Sequence, residues 1–112
     1  MDVSQPSPRR PVAEDVYFSR EELDQILSLY GYFVAAGEWK DYAIGGAPDR
    51  AVFSIFRRTS EAPMYRIEKR PKLRQKQGAY SVVAMGGQIL KRGADLRAVL
   101  KVFDRQKLKL IS

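Results

Sequence analysis

Six cations stand within one short stretch. In YRIEKRPKLRQKQGAY (Tyr65–Tyr80), Arg66, Lys69, Arg70, Lys72, Arg74 and Lys76 are opposed only by Glu68. Arg57 and Arg58 precede it by one short turn, so residues 57–76 hold eight basic and two acidic side chains. Guanidinium and ammonium groups at this density suit a phosphodiester backbone, whose charge repeats along the strand. Arginine adds bidentate phosphate contacts and stacking on bases. Tyr65 and Tyr80, at the base of the stretch, have the ring chemistry for sequence-tolerant stacking. Strand alternation, however, puts Tyr65 on the same face as Ile67, which must meet the core. The same cations suit an acidic protein surface equally well, and a solvated loop is the bland alternative. No RNP pattern, zinc-finger spacing or KH loop accompanies them.

Other chemistry is narrowed by what the chain lacks. It has no cysteine and no histidine, which excludes disulfides, thiolate nucleophiles, zinc or haem ligation and triads with an imidazole base. A metal site would need carboxylates and carbonyls, hence magnesium or calcium, and no calcium-loop spacing is present; no cofactor is implied. Glu21, Glu22 and Asp24 are local to a helix start, Asp41 and Asp49 border loops, and Asp95 precedes a helix, so capping and solvation account for them without acid–base work. One enzyme class survives: a histidine-free ribonuclease of toxin type, in which arginines stabilise phosphorane-like charge and a lysine or tyrosine moves protons. Nothing in the spacing requires it, and an opening long helix does not suit that fold. Gly86-Gly87-Gln88 matches the catalytic tripeptide of peptide release factors, but there it sits in a long polar loop. Here it follows SVVAM and leads into ILKR, so a hairpin with positive φ at both glycines explains it.

The elements that must carry the basic stretch follow from periodicity and punctuation. Residues 1–15, with Pro6, Pro8 and Pro11, read as a disordered tail; its Arg9 and Arg10 are solvated. Ser19 and Glu22 form a capping box, flanked by a Phe18–Leu23 hydrophobic staple. Leu23, Ile26, Leu27, Tyr30, Phe33 and Val34 then recur as one helical stripe that ends at Gly37. Gly31, costly inside a helix, suggests that a strand passes close by. Tyr42 and Ile44 mark a first strand, and Ala47-Pro48-Asp49 is a turn; Trp39 caps the core edge, core or rim being favoured for a lone Trp over the alternative of a stacking platform. Ala51–Arg57 is a strand apolar on both faces, and Ser60–Pro63 is a second turn. Met64–Arg70 is a strand ended by Pro71, and residues 72–78 form an exposed loop that Gly78 closes. Ala79–Met85 and Gln88–Arg92 form a hairpin. Asp95 caps a second amphipathic helix on Leu96, Val99, Leu100 and Phe103. Lys107–Ile111, reading KLKLI, alternates as an edge strand guarded by its lysines. The expected fold is α+β: an antiparallel sheet of about five to six strands with an N-terminal and a C-terminal amphipathic helix packed on it, in a single domain over residues 16–112.

Charge follows the same division. Residues 1–56 sum to −4 and residues 57–112 to +11, giving +7 for the chain. Such asymmetry points to a basic face that seeks phosphate or acidic partners, or to halves that cover one another. No stretch reads as a signal peptide or membrane span, which leaves the cytoplasm as the expected location.

The segments VYFSREELDQILSLYGYFVAAGEWKDYAI, DRAVFSIFRR, YRIEKRPKL, QGAYSVVA and ILKRG resemble the bacterial domain-of-unknown-function family 2794, over nearly all of Val16–Ile111. The resemblance implies a compact stand-alone bacterial protein and brings no catalytic or binding residues with it. From the residues themselves, the expected function is a small non-enzymatic module that contacts RNA or DNA backbone. Arg57, Arg58, Arg66, Arg70, Lys72, Arg74 and Lys76 would meet phosphates, with Lys107 and Lys109 as weaker contacts. The alternative is an interaction or regulatory module whose loop docks an acidic partner, or the acidic first helix of a second subunit.

Overall fold

A computed structural model describes residues 15–58 and 62–111 of the chain. Most of the predicted tail, with Arg9 and Arg10, lies outside the described residues, as does part of the turn over Ser60–Pro63. Helix α1 spans Arg20–Ala35 and begins where the capping box demands: Ser19 Oγ accepts from the Glu22 N–H at 3.1 Å, and Glu22 Oε1 accepts from the Ser19 N–H at 2.7 Å. Five strands follow: β1 (Asp41–Gly46), β2 (Ala51–Phe56), β3 (Tyr65–Lys69), β4 (Tyr80–Ala84) and β5 (Ile89–Gly93). They form one antiparallel sheet in the order β1-β2-β3-β4-β5, each strand beside its predecessor. Helix α2 (Leu96–Leu100), a 3-10 turn over Lys101–Phe103 and helix α3 (Asp104–Ile111) close the chain. The α+β architecture is as the sequence predicts.

One face of the sheet is covered. Phe53, Ile55, Ile67 and Val82 meet Ile26, Leu29 and Phe33 of α1 and Leu96, Val99, Leu100 and Phe103 of the C-terminal helices, all buried. Trp39, only 2 % exposed, stacks on Phe33 at 4.4 Å, so it is core and not rim. Burial of these large side chains contributes about 1.5–3 kcal/mol each.

Four expectations need correction. The stripe predicted for α1 is too wide: Leu27 and Val34 face solvent, while Leu29 is buried in their place. A Cβ on Gly31 would meet nothing within 4 Å, so no strand explains that glycine. Of the two hairpin glycines only Gly87 has positive φ, +93°, donating to the Ala84 carbonyl at 2.9 Å. Lys107–Ile111 is not a strand but the body of α3. Five alternating residues cannot outweigh an uninterrupted run of straight-chain helix formers from Arg105 to Leu110 that continues a helix already begun. Leu108 and Leu110 are exposed, so the alternation marks no half-buried surface.

Candidate functional site

Strand alternation divides the basic stretch at β3. Tyr65, Ile67 and Lys69 point to the helices, whereas Arg66 and Glu68 point to the other face, which no described helix covers. The register sets two rows across that open face. One reads Gly45, Val52, Glu68, Ser81, Arg92 and the other Ala43, Ser54, Arg66, Val83, Ile89. Glu68 is 4 % exposed. Its Oε2 accepts from Arg66 Nε at 3.1 Å and its Oε1 from Arg70 Nε at 3.2 Å. Arg70 Nη1 reaches Asp49 Oδ2 at 3.3 Å, and Arg50 Nε lies 3.9 Å from Asp49 Oδ1. Arg92 Nη1 donates to Gln77 Oε1 at the end of the loop, while its buried Nε has no partner among the described residues. Arg50, Arg66, Arg70 and Arg92 thus border one shallow concavity of about 270 Å³, floored by Glu68 and Val83. Four guanidinium groups share two carboxylates there, and the surplus is positive.

The loop adjoins this surface through Leu73, which lines the concavity, and Gln77, which meets Arg92. Pro71–Leu73 forms a 3-10 turn, and the amides of Lys76, Gln77 and Gly78 all donate to the Leu73 carbonyl at 2.9–3.0 Å, so the segment is tightly folded and not an open loop. Gly78, at φ +95°, lies where a Cβ would run into the Gly93 backbone, which pins the turn to β5. Lys72, Arg74 and Lys76 remain exposed at its surface. Arg57 and Arg58 do not join them. They follow β2, whose Ile55 lies opposite Tyr65, and so stand at the other end of β3 from Lys72, roughly 20 Å along the strand direction. Arg57 Nη2 instead lies 3.7 Å from Glu38. Lys107 sits over the Tyr32 ring, 5.1 Å from its centroid, and Lys109 is exposed on α3; neither contributes to the open face.

Lys69 serves the covered face. Its ammonium donates to Glu22 Oε1 at 2.8 Å and to the Tyr17 carbonyl at 2.9 Å, and the Tyr80 hydroxyl donates to Glu22 Oε2. Burial alone would raise the Glu22 carboxyl, but Lys69, Tyr80 and the Ser19 amide together hold it below its ordinary value. Burial, then the Glu22 carboxylate, pushes the Tyr80 phenol up to about 12. This network ties α1 to β3 and β4. Tyr65 is likewise engaged: its ring packs edge-on to Phe103 at 5.1 Å, and its hydroxyl accepts from Gln106 at 3.1 Å. The three aromatics considered for base stacking therefore all belong to the covered face.

Arg50, Arg92 and the organising role of Glu68 were missed from sequence. Arg92 had a signal, since the hairpin register brings it two strands from Glu68 in the same row. Arg50 had none before the β1–β2 turn was placed. Among the described residues no group of three or more Asp or Glu side chains is placed to hold a metal ion, and no helix is long and apolar enough to cross a membrane. No curated protein and no solved structure matches the chain. A family model does match, over residues 16–100, which takes in both faces of the sheet and the whole arginine cluster: the chain belongs to the family described as Protein of unknown function (DUF2794).

Proposed function

We propose that the protein is a non-enzymatic module that contacts nucleic-acid backbone through the open face of its sheet, in the bacterial cytoplasm. The observation that carries this is the surplus of guanidinium groups around Glu68, next to a loop on which Lys72, Arg74 and Lys76 are exposed. Glu68 holds Arg66 and Arg70 by their Nε atoms, which leaves the Nη edge of Arg66 for a bidentate phosphate contact, while Arg70 Nη1 is shared with Asp49. With Trp39, Tyr65 and Tyr80 engaged on the other face, recognition is by phosphate and carries little base preference. Arg57 and Arg58 contribute only to a partner long enough to cross the sheet.

Fluorescence-anisotropy titrations of nuclease-treated protein against single-stranded RNA, single-stranded DNA and duplex DNA test this across a salt series. Micromolar or tighter binding is expected, with a log–log salt slope equivalent to about four neutralised phosphates. Replacing Lys72, Arg74 and Lys76 with glutamate should remove most of it. Absence of binding at low salt overturns the reading and directs the same face to an acidic protein partner, sought by pull-down.

A further inference from the structure

The two edges of the sheet are built differently. β5 carries Lys91 and Arg92, and its pairing with β4 is broken by a register shift at Val82/Val83, both of which discourage strand addition. β1 is guarded only at its start, where the Asp41 carboxylate accepts from the Tyr42 N–H at 2.8 Å; from Tyr42 to Gly46 it holds neither charge nor proline, and no described strand pairs with its outer side. Ala47 and Arg50 exchange both backbone hydrogen bonds across the β1–β2 turn. By alternation the odd-numbered residues of β1 bond to β2, and Tyr42, Ile44 and Gly46 turn their peptide groups outward; the Tyr42 N–H is held by Asp41 and must exchange that partner on pairing, and Val16 and Tyr17 lie against Gly46. The side chains of Tyr42 and Ile44, 41 % and 47 % exposed, lie on the helix-covered face beside this edge.

Helix α1 presents a matching flank. Leu27, Gly31 and Val34 fall on one side at four- and three-residue steps, and all three are exposed. That side adjoins β1, because Tyr30 meets the Tyr42 ring at 4.9 Å. Gly31 costs helix propensity, and no contact among the described residues explains it. Tyr30 also meets Phe53 of β2 at 6.0 Å, so the C-terminal half of α1 lies above the β1–β2 pair.

We infer that β1 and the Leu27–Gly31–Val34 flank form the interface between two copies of this chain. β1 pairs antiparallel with its counterpart about a two-fold axis normal to the sheet, giving one ten-stranded sheet. With strands about 4.8 Å apart, the C-terminal halves of the two helices, each over a β1–β2 pair, would lie about 10 Å apart across that axis, which is helix-packing distance. Gly31 is then the residue that lets them approach. The edge backbone with Tyr42, Ile44, Leu27 and Val34 exposes on the order of 500 Å² per copy, so a pair would bury roughly 1,000 Å², the lower bound for a specific interface. The charges agree: β1 adds only Asp41 to the contact, and pairing Ile44 with its own counterpart sets Asp41 against uncharged Ala47. The arginine clusters of both copies would face the same side.

Sedimentation equilibrium of the full chain should give the mass of two chains. Ile44→Lys and Leu27→Glu, both at exposed positions, should each raise the dissociation constant about tenfold or more with unchanged far-ultraviolet circular dichroism. Gly31→Gln should improve the helix yet weaken association. Because the chain has no cysteine, Ile44→Cys should form an intermolecular disulfide with diamide, its Cα pair lying about 5.5 Å apart in this register. A monomeric wild type, or a dimer indifferent to Ile44→Lys, Leu27→Glu and Gly31→Gln, overturns the inference.

Discussion

Glu22 and Glu68 are the two carboxylates that hold β3, and they do so from opposite faces. On the covered face, Glu22 is met by one full positive charge, from Lys69, and by the neutral donors of Tyr80 and Ser19; the charges balance and the network is closed. On the open face, Glu68 is met by Arg66 and Arg70, with Arg50 and Arg92 at the same concavity. The first arrangement fastens a helix to a sheet. The second keeps like charges together at a surface, as the proposed contact with a polyanion would require. Neighbouring residues of one strand, Glu68 and Lys69, thus belong to separate devices, and the basic stretch is less a single patch than its spacing suggests.

Removing the organising carboxylate should have the largest effect. Glu68→Ala leaves Arg66 and Arg70 facing each other, partly buried and without their acceptor, and should cost about 3 kcal/mol of stability in urea denaturation. At concentrations where the variant stays folded, it should bind polyanions more tightly than the wild type. A Glu68→Ala chain as stable as wild type would mean that the two arginines need no clamp.

The closed network should respond next, and with a different signature. Glu22→Gln keeps the size and part of the cap but loses the ion pair to Lys69, at about 1–2 kcal/mol near neutral pH. Because the folded-state pKa of Glu22 is depressed, its stabilisation is fully present above the ordinary carboxyl value of 4.5 and is lost as pH falls through the lower folded value. The acid limb of a stability–pH profile should therefore flatten in Glu22→Gln.

Much of this architecture was legible because local signals agreed. The capping box at Ser19, the alternation in β3 and the glycine hairpin each dictated an element, and sequential antiparallel pairing then followed from short turns. The end of the chain was misread because KLKLI fits two periods equally over five residues, and only the helix running into it from Leu96 decides. The candidate site was half legible. Arg66 and Arg70 share a face by simple alternation and the hairpin points to Arg92, whereas Arg50 reaches it through the register of β2 with β3, which no local pattern encodes. The burial of Glu68 was hidden in part for the same reason: besides Arg66 and Arg70 it lies between Val52 and Ser81 of the neighbouring strands.

Tyr80→Phe probes the closed network more gently. It removes one hydrogen bond to a charged acceptor, at about 1 kcal/mol. The raised folded-state pKa of Tyr80 means that its stabilisation is complete below 10 and is lost as pH rises from 10 through about 12. Thermal melts between pH 9 and 11.5 should show a steeper alkaline decline for wild type than for the variant.

The smallest effect is expected at Arg57, and it sharpens the contrast between the two faces by locating the limits of the open one. The guanidinium stands at the far end of β2, exposed and 3.7 Å from Glu38, so Arg57→Glu should change stability by no more than about 0.5 kcal/mol. Against an oligonucleotide too short to span the sheet it should change affinity about twofold or less, whereas the same reversal at Arg66 loses a phosphate contact and lowers the salt slope by about 0.7–0.9. If Arg57→Glu matches the Arg66 variant in slope, the ligand runs along β3 from one end of the sheet to the other, and the contiguity of the basic residues in sequence is then also contiguity along the ligand.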